Sequence, residues 1–134
     1  MGKNELVAAA QAAQQYSYAP YSNYRVGAAL QTCSGKIYTG CNIENAAYGA
    51  TVCAEQVAVF AAIAAGEKDF AALAVAASGN RMALPCGICR QVLFEFAPDL
   101  LLYLTDIRGT VETITLKELF PYAFGPAHLM EDGV

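Results

Sequence analysis

Cys53-Ala54-Glu55 opens an apolar run, Val57 to Ala65, that Gly66 closes, and Pro85-Cys86-Gly87-Ile88-Cys89 opens a second such run through Phe96. Both read as helices, each with cysteine at its start. A thiolate at the first turn of a helix is stabilised by the helix dipole and by the free N–H groups there. Glu55 lies in the same first turn as Cys53. Three cysteines at two helix starts, with a glutamate that is not itself a ligand, fit a three-thiolate zinc site with an open fourth position.

The remaining sequence reads outward from these helices. Ahead of them, Asn4 is placed to cap a first helix, with Leu6, Val7, Ala10 and Ala13 at helical spacing up to about Tyr18 and Pro20 as its stop. Tyr24 to Thr32 and Ile37 to Asn42 read as strands of an antiparallel hairpin around Cys33-Ser34-Gly35-Lys36. The stretch Asn42 to Gly49 is polar, irregular and long for a connection, the kind of loop that carries binding groups. After the first cysteine helix comes Phe70 to Ser78, a central buried strand. The second cysteine helix ends at Pro98. Leu100 to Thr105 and Val111 to Ile114 are then strands joined by the turn Asp106-Ile107-Arg108-Gly109. So short a connection requires these last two strands to pair antiparallel, because a parallel pair needs a crossover of a dozen or more residues. Thr115 and Glu118 form a capping box for a short helix that ends before Pro121. The order is α-β-β-α-β-α-β-β-α, without repeat or linker, and residues 1–134 read as one domain.

Composition narrows the function. The chain has 134 residues, 56% hydrophobic and 15% charged, which argues for a real core and against disorder. Its net charge is −4, and its eight Lys and Arg are scattered, so the basic stripe that nucleic-acid binding needs is absent. No apolar run reaches the length of a membrane span, and the Ala-rich start lacks a signal-peptide pattern. The expected compartment is the cytoplasm, where five cysteines point to metal or catalysis rather than disulfides.

The residues alone leave two readings of the cysteines. One is a closed structural zinc site, completed by Cys33, Cys41 or His128, in a non-catalytic binding module. The other is a catalytic zinc site with Glu55 as proton carrier. Glu55 beside a ligand and Pro85 ahead of the C-x-x-C favour the second.

Cys53-Ala54-Glu55 and Pro85-Cys86-Gly87-Ile88-Cys89 also match the three-cysteine variant of the H-x-E…P-C-x-x-C pattern of zinc nucleobase deaminases. With Ala19-Pro20-Tyr21-Ser22-Asn23-Tyr24, Val26-Gly27-Ala28-Ala29-Leu30 and Gly40 to Tyr48, the chain closely resembles the small homotetrameric cytidine deaminases, from the first helix to about Phe124. The resemblance implies an α/β fold, three-layer α/β/α with a mixed five-stranded sheet. It implies one Zn²⁺ per subunit on Cys53, Cys86 and Cys89. Zinc-bound hydroxide would attack C4 of cytidine or deoxycytidine, with Glu55 as proton shuttle, to give uridine or deoxyuridine and ammonia in pyrimidine salvage. By the same resemblance Asn42 and Glu44 hold the ribose hydroxyls, and Tyr24, where Phe is usual, lies against the base. The backbone of Ala54 and the carbonyl of Pro85 touch the base, while Phe124, Ala46 and Tyr48 reach into a neighbouring subunit's site. One departure stands out. Gln56 replaces the Arg that usually follows the glutamate and offsets thiolate charge, leaving Arg90 and the two helix N-termini for that role. Cys33 and Cys41 are read as packing residues.

Overall fold

The computed structural model describes residues 2–130. A five-stranded sheet has the order β2-β1-β3-β4-β5, formed by β1 (Val26–Thr32), β2 (Ile37–Cys41), β3 (Phe70–Ala77), β4 (Leu101–Thr105) and β5 (Val111–Thr115). β1 pairs antiparallel with β2 and β3, β3 pairs parallel with β4, and β4 pairs antiparallel with β5 across the short turn. The sheet is therefore mixed, its one parallel pair being the pair joined by a helical crossover.

Strand periodicity builds two cores. Along β3, Leu73, Val75 and Ala77 face one side, with Ala28 and Leu30 of β1 and Leu102 and Leu104 of β4. There they meet Ala54, Ala58, Val59 and Ala62 of α2 (Ala54–Ala64) and Leu93 of α3 (Gly87–Phe96). Ala72, Ala74 and Ala76 face the other side, with Ala29, against Leu6, Val7 and Ala10 of α1 (Lys3–Gln14). The result is three layers, α/β/α. Two glycines set the closeness of the layers: a Cβ at Gly27 would collide with the α1 backbone, and one at Gly40 would lie 2.5 Å from the Ala54 carbonyl oxygen of α2.

Several boundaries differ from the sequence reading. The N-cap of α1 is Gly2, not Asn4, and no side chain caps it; the buried stripe from Leu6 to Ala13 fixes this helix instead. It ends at Gln14 rather than Tyr18 because tertiary pairing pulls the chain away. Tyr18 donates its N–H to Asn42 O at 3.0 Å and accepts from Glu44 N at 2.8 Å. β1 starts two residues later than expected, since the Tyr24 carbonyl is taken by the Asn42 side chain and the Arg25 N–H by Ser78 Oγ. A 3-10 turn at Tyr48–Ala50 and a short helix α5 (Ala127–Met130) were not anticipated. The capping box on α4 (Leu116–Leu119) is as read: Thr115 Oγ1 accepts the Glu118 N–H, and Glu118 Oε1 accepts the Thr115 N–H. Among the described residues no helix is long and apolar enough to cross a membrane.

Candidate active site

Helices α2 and α3 start side by side beyond the carboxyl end of β3, the place where α/β sheets gather ligands. Cys53 is the N-cap of α2 and Cys86 the N-cap of α3, while Cys89 lies one turn into α3, fully buried. Their sulfurs lie within 4.8 Å of one another, with Cys53–Cys86 at 3.8 Å and Cys86–Cys89 at 3.5 Å. Four ligands at ~2.3 Å around a tetrahedral zinc place sulfurs ~3.8 Å apart, so the trio already has the spacing the ion requires. Among the described residues no fourth Cys, His or carboxylate joins the group. Cys41 instead borders a groove beside α1, Cys33 lies by Asp69 and Phe96, and His128 stacks on Phe124 at 5.0 Å. The closed site completed by one of these three is therefore not formed.

The helix starts also supply charge compensation. Cys53 Sγ accepts the Gln56 N–H, Cys86 Sγ accepts the Cys89 N–H, and Gln56 Oε1 in turn accepts the Cys53 N–H at 2.9 Å. Gln56 thus completes a capping box around a metal-ligand candidate, a role distinct from charge compensation. Arg90 is engaged elsewhere: its guanidinium donates to Pro85 O at 2.8 Å and to Leu119 O at 2.6 Å. It braces the C-x-x-C turn against α4 instead of meeting a sulfur. Hydrogen bonds from Cys89 and Cys86 pull the Cys53 thiol down to about 6 against the effect of its burial, while the Cys89 thiol is raised.

Beside the thiols is a cavity of about 160 Å³ lined by Tyr24, Val26, Asn42, Thr51, Val52, Cys53, Ala54, Glu55, Val75, Ala83, Leu84 and Cys86. Most of this wall is apolar and suits a flat ring. Glu55 is 4% exposed, and burial, with the Cys53 charge adding to it, pushes its carboxyl up to about 7. A carboxylate poised there can take and return protons at neutral pH. Burial and the nearby Glu55 also raise the Tyr24 hydroxyl.

The other expected residues divide into two groups. Asn42 is buried on the cavity wall. Glu44 lies in an adjoining depression with Tyr21, Ser22, Asn45, Tyr48 and Thr51, and Thr51 borders both spaces. The Glu44 carboxylate is held below its ordinary range by the Ser22 hydroxyl and the Tyr21 and Ser22 N–H groups. Ala46, Tyr48 and Phe124 are exposed and are not on the cavity wall of their own chain. Thr51, Val52, Val75, Ala83 and Leu84 were not singled out in the sequence: the apolar four look like core, and Thr51 looks like an ordinary loop residue.

This geometry coincides with a family match. Residues 2–105 match the cytidine and deoxycytidylate deaminase zinc-binding region. The chain belongs to that family. A cytidine deaminase of Sporosarcina psychrophila is 45% identical over 130 residues, covering 96% of each chain. The crystal structure of cytidine deaminase from Burkholderia pseudomallei superposes with a TM-score of 0.89 at 47% identity, covering 92% of this chain and 100% of that one. That from Mycobacterium tuberculosis superposes with a TM-score of 0.82 at 38% identity, covering 93% and 98%. In this deaminase domain the three cysteines positioned to bind a metal ion come from two helix N-termini, and the cavity beside them is walled by Val26 of β1, Val75 of β3, Asn42, the segment 51–55, and Ala83, Leu84 and Cys86.

Proposed function

We propose that the chain is a hydrolase that deaminates cytidine and deoxycytidine to uridine and deoxyuridine, releasing ammonia. The observation that carries this reading is Glu55, buried and protonatable near neutrality, on the same cavity wall as two of the three clustered thiols. Cys53, Cys86 and Cys89 hold Zn²⁺. When bound, the ion acts as a Lewis acid at its open position and makes water a nucleophile at neutral pH.

The chain's own residues do the rest. Val26, Val75, Ala83 and Leu84 exclude solvent around the pyrimidine, and Tyr24 offers it a ring face. Pro85 O, oriented by Arg90, and the Ala54 backbone address its polar edge. Asn42 and Glu44 receive the ribose hydroxyls. Glu55 takes a proton from the attacking water and delivers it to N3 of the base. A C4–O bond forms. Glu55 then passes the second water proton to the departing nitrogen as the C4–N bond breaks, and ammonia leaves. Water and substrate balance against product and ammonia, and Glu55 ends as it began.

Three reduced thiols as ligands suit a reducing compartment, the cytoplasm, and a role in pyrimidine salvage. Exposed Tyr48, Ile88, Tyr122 and Phe124 favour a homotetramer in which neighbours complete each other's sites.

The test is ammonia release from cytidine by the zinc-loaded protein, beside Glu55→Gln at equal zinc content. Loss of a proton carrier is expected to slow turnover by about 10²–10⁴-fold with zinc retained. Equal rates in the two proteins would remove Glu55 from the chemistry. A parent that releases no ammonia from cytidine or deoxycytidine would overturn the substrate assignment.

A further inference from the structure

Asn42 stands at the end of β2, and its side chain is held on three sides. Its Oδ1 accepts both the Ser17 hydroxyl and the Val26 N–H (2.9 Å), and its Nδ2 donates to Tyr24 O at 2.7 Å. Two donors on the oxygen and one acceptor on the nitrogen leave a single orientation for the amide. Its second N–H has no protein acceptor among the described residues, and Asn42 lies on the cavity wall. Of the three partners, two are backbone groups that any sequence would supply. The third is Ser17, 8% exposed, in the turn that follows α1, a segment that does not line the cavity.

We infer that Ser17 is a positioning residue for substrate recognition: its hydroxyl fixes the Asn42 amide so that one N–H is presented to a ribose hydroxyl. The inference rests on the nucleoside reading above. Ser17 touches no reacting atom. Without its hydroxyl, Oδ1 keeps the Val26 N–H and Nδ2 keeps the Tyr24 carbonyl, so the amide retains its sense but loses one of three restraints, and the free N–H is presented to the substrate less firmly. The loss falls on binding rather than on proton transfer, because Glu55 and the thiols do not contact Ser17. Ala is small enough to occupy the site without displacing the α1 turn.

The experiment is steady-state kinetics of Ser17→Ala with cytidine and with 2′,3′-dideoxycytidine, alone and in an Asn42→Ala background. For cytidine KM is expected to rise about fivefold, the scale of one weakened neutral hydrogen bond, with kcat nearly unchanged. With the dideoxynucleoside the same substitution should change KM little, and on Asn42→Ala it should add almost nothing. Equal KM values for parent and variant with cytidine would overturn the role, as would an equal rise with both nucleosides. If the parent deaminates neither nucleoside, the functional reading fails on its own account. The positioning role is then decided by hydrogen exchange at the Asn42 side-chain amide: protection in the parent that is lost in Ser17→Ala keeps it, and unchanged protection removes it.

Discussion

Asp106 shows how much one carboxylate can organise. Its Oδ1 accepts the Arg108 and Thr110 N–H groups, at 2.9 and 3.2 Å, and its Oδ2 accepts Arg108 Nη2 at 2.9 Å. The Arg108 guanidinium is the main reason the carboxyl is held below the usual carboxylate range. A depressed folded value means that the stabilisation is complete above the unfolded value of about 3.9 and disappears as pH falls through the folded one. Asp106→Asn is therefore expected to lower Tm at pH 7, with the gap to the parent closing below about pH 3.9. Melting curves of both proteins from pH 7 to pH 2 check this, since acid loss of the zinc thiolates is common to both; a gap independent of pH would refute it. Residue-scale detail was unevenly legible in the sequence. Thr115 and Glu118 could be read directly as a capping box, and the same rule, extended to Cys53 and Gln56, would have found the second one. Ser17 could not be found that way. Its partner is 25 residues away, and a serine in a turn has no preferred reading.

At the scale of elements, the two glycines facing helices give a matched pair of tests. Gly27 touches α1 on one face of the sheet, and Gly40 touches α2 on the other, beside Ala54 and Ala58. Overpacking at either site is expected to destabilise by about 1–3 kcal/mol. Only Gly40→Ala displaces the turn that holds Cys53 and Glu55, so it should also weaken zinc retention and turnover of the folded protein. Zinc content and kcat of the two folded variants decide the matter; equal losses would disconnect Gly40 from the site. Which helix packs on which face was not readable beforehand, because β3 is apolar on both sides and its alternation is hidden among alanines and valines. The helices, the hairpin and the antiparallel closing pair were readable, because turn residues and short connections leave few alternatives. Tyr18 eluded local rules because its pairing with the 42–44 segment is a tertiary event.

At the scale of the molecule, the exposed Phe124 and the buried Glu55 bear on assembly. If neighbouring subunits share sites, Phe124→Ala and Glu55→Gln are each nearly inactive alone. In a one-to-one mixed tetramer roughly a quarter of the sites would pair an intact Glu55 with an intact Phe124 from a neighbour. Recovery of activity on mixing, with sedimentation showing four subunits, is the expected outcome. Full activity in Phe124→Ala alone, or in a stable monomer, would end the shared-site proposal. The family and its thiol cluster were legible from two short motifs, whereas the contacts between subunits lie on surfaces that one chain leaves exposed.

The thiol cluster also joins distant points of the chain. Cys53 and Cys86 are separated by 32 residues that contain the whole of α2 and β3. An ion that gathers the three sulfurs closes this loop and removes its closure entropy from the later search for the sheet. Because Cys86 and Cys89 emerge last, a growing chain cannot form the full ligand set until β1, β2, α2 and β3 have been synthesised. Metal capture by all three thiols can then begin no earlier than the first turn of α3, after β3 and ahead of β4 in the order of synthesis.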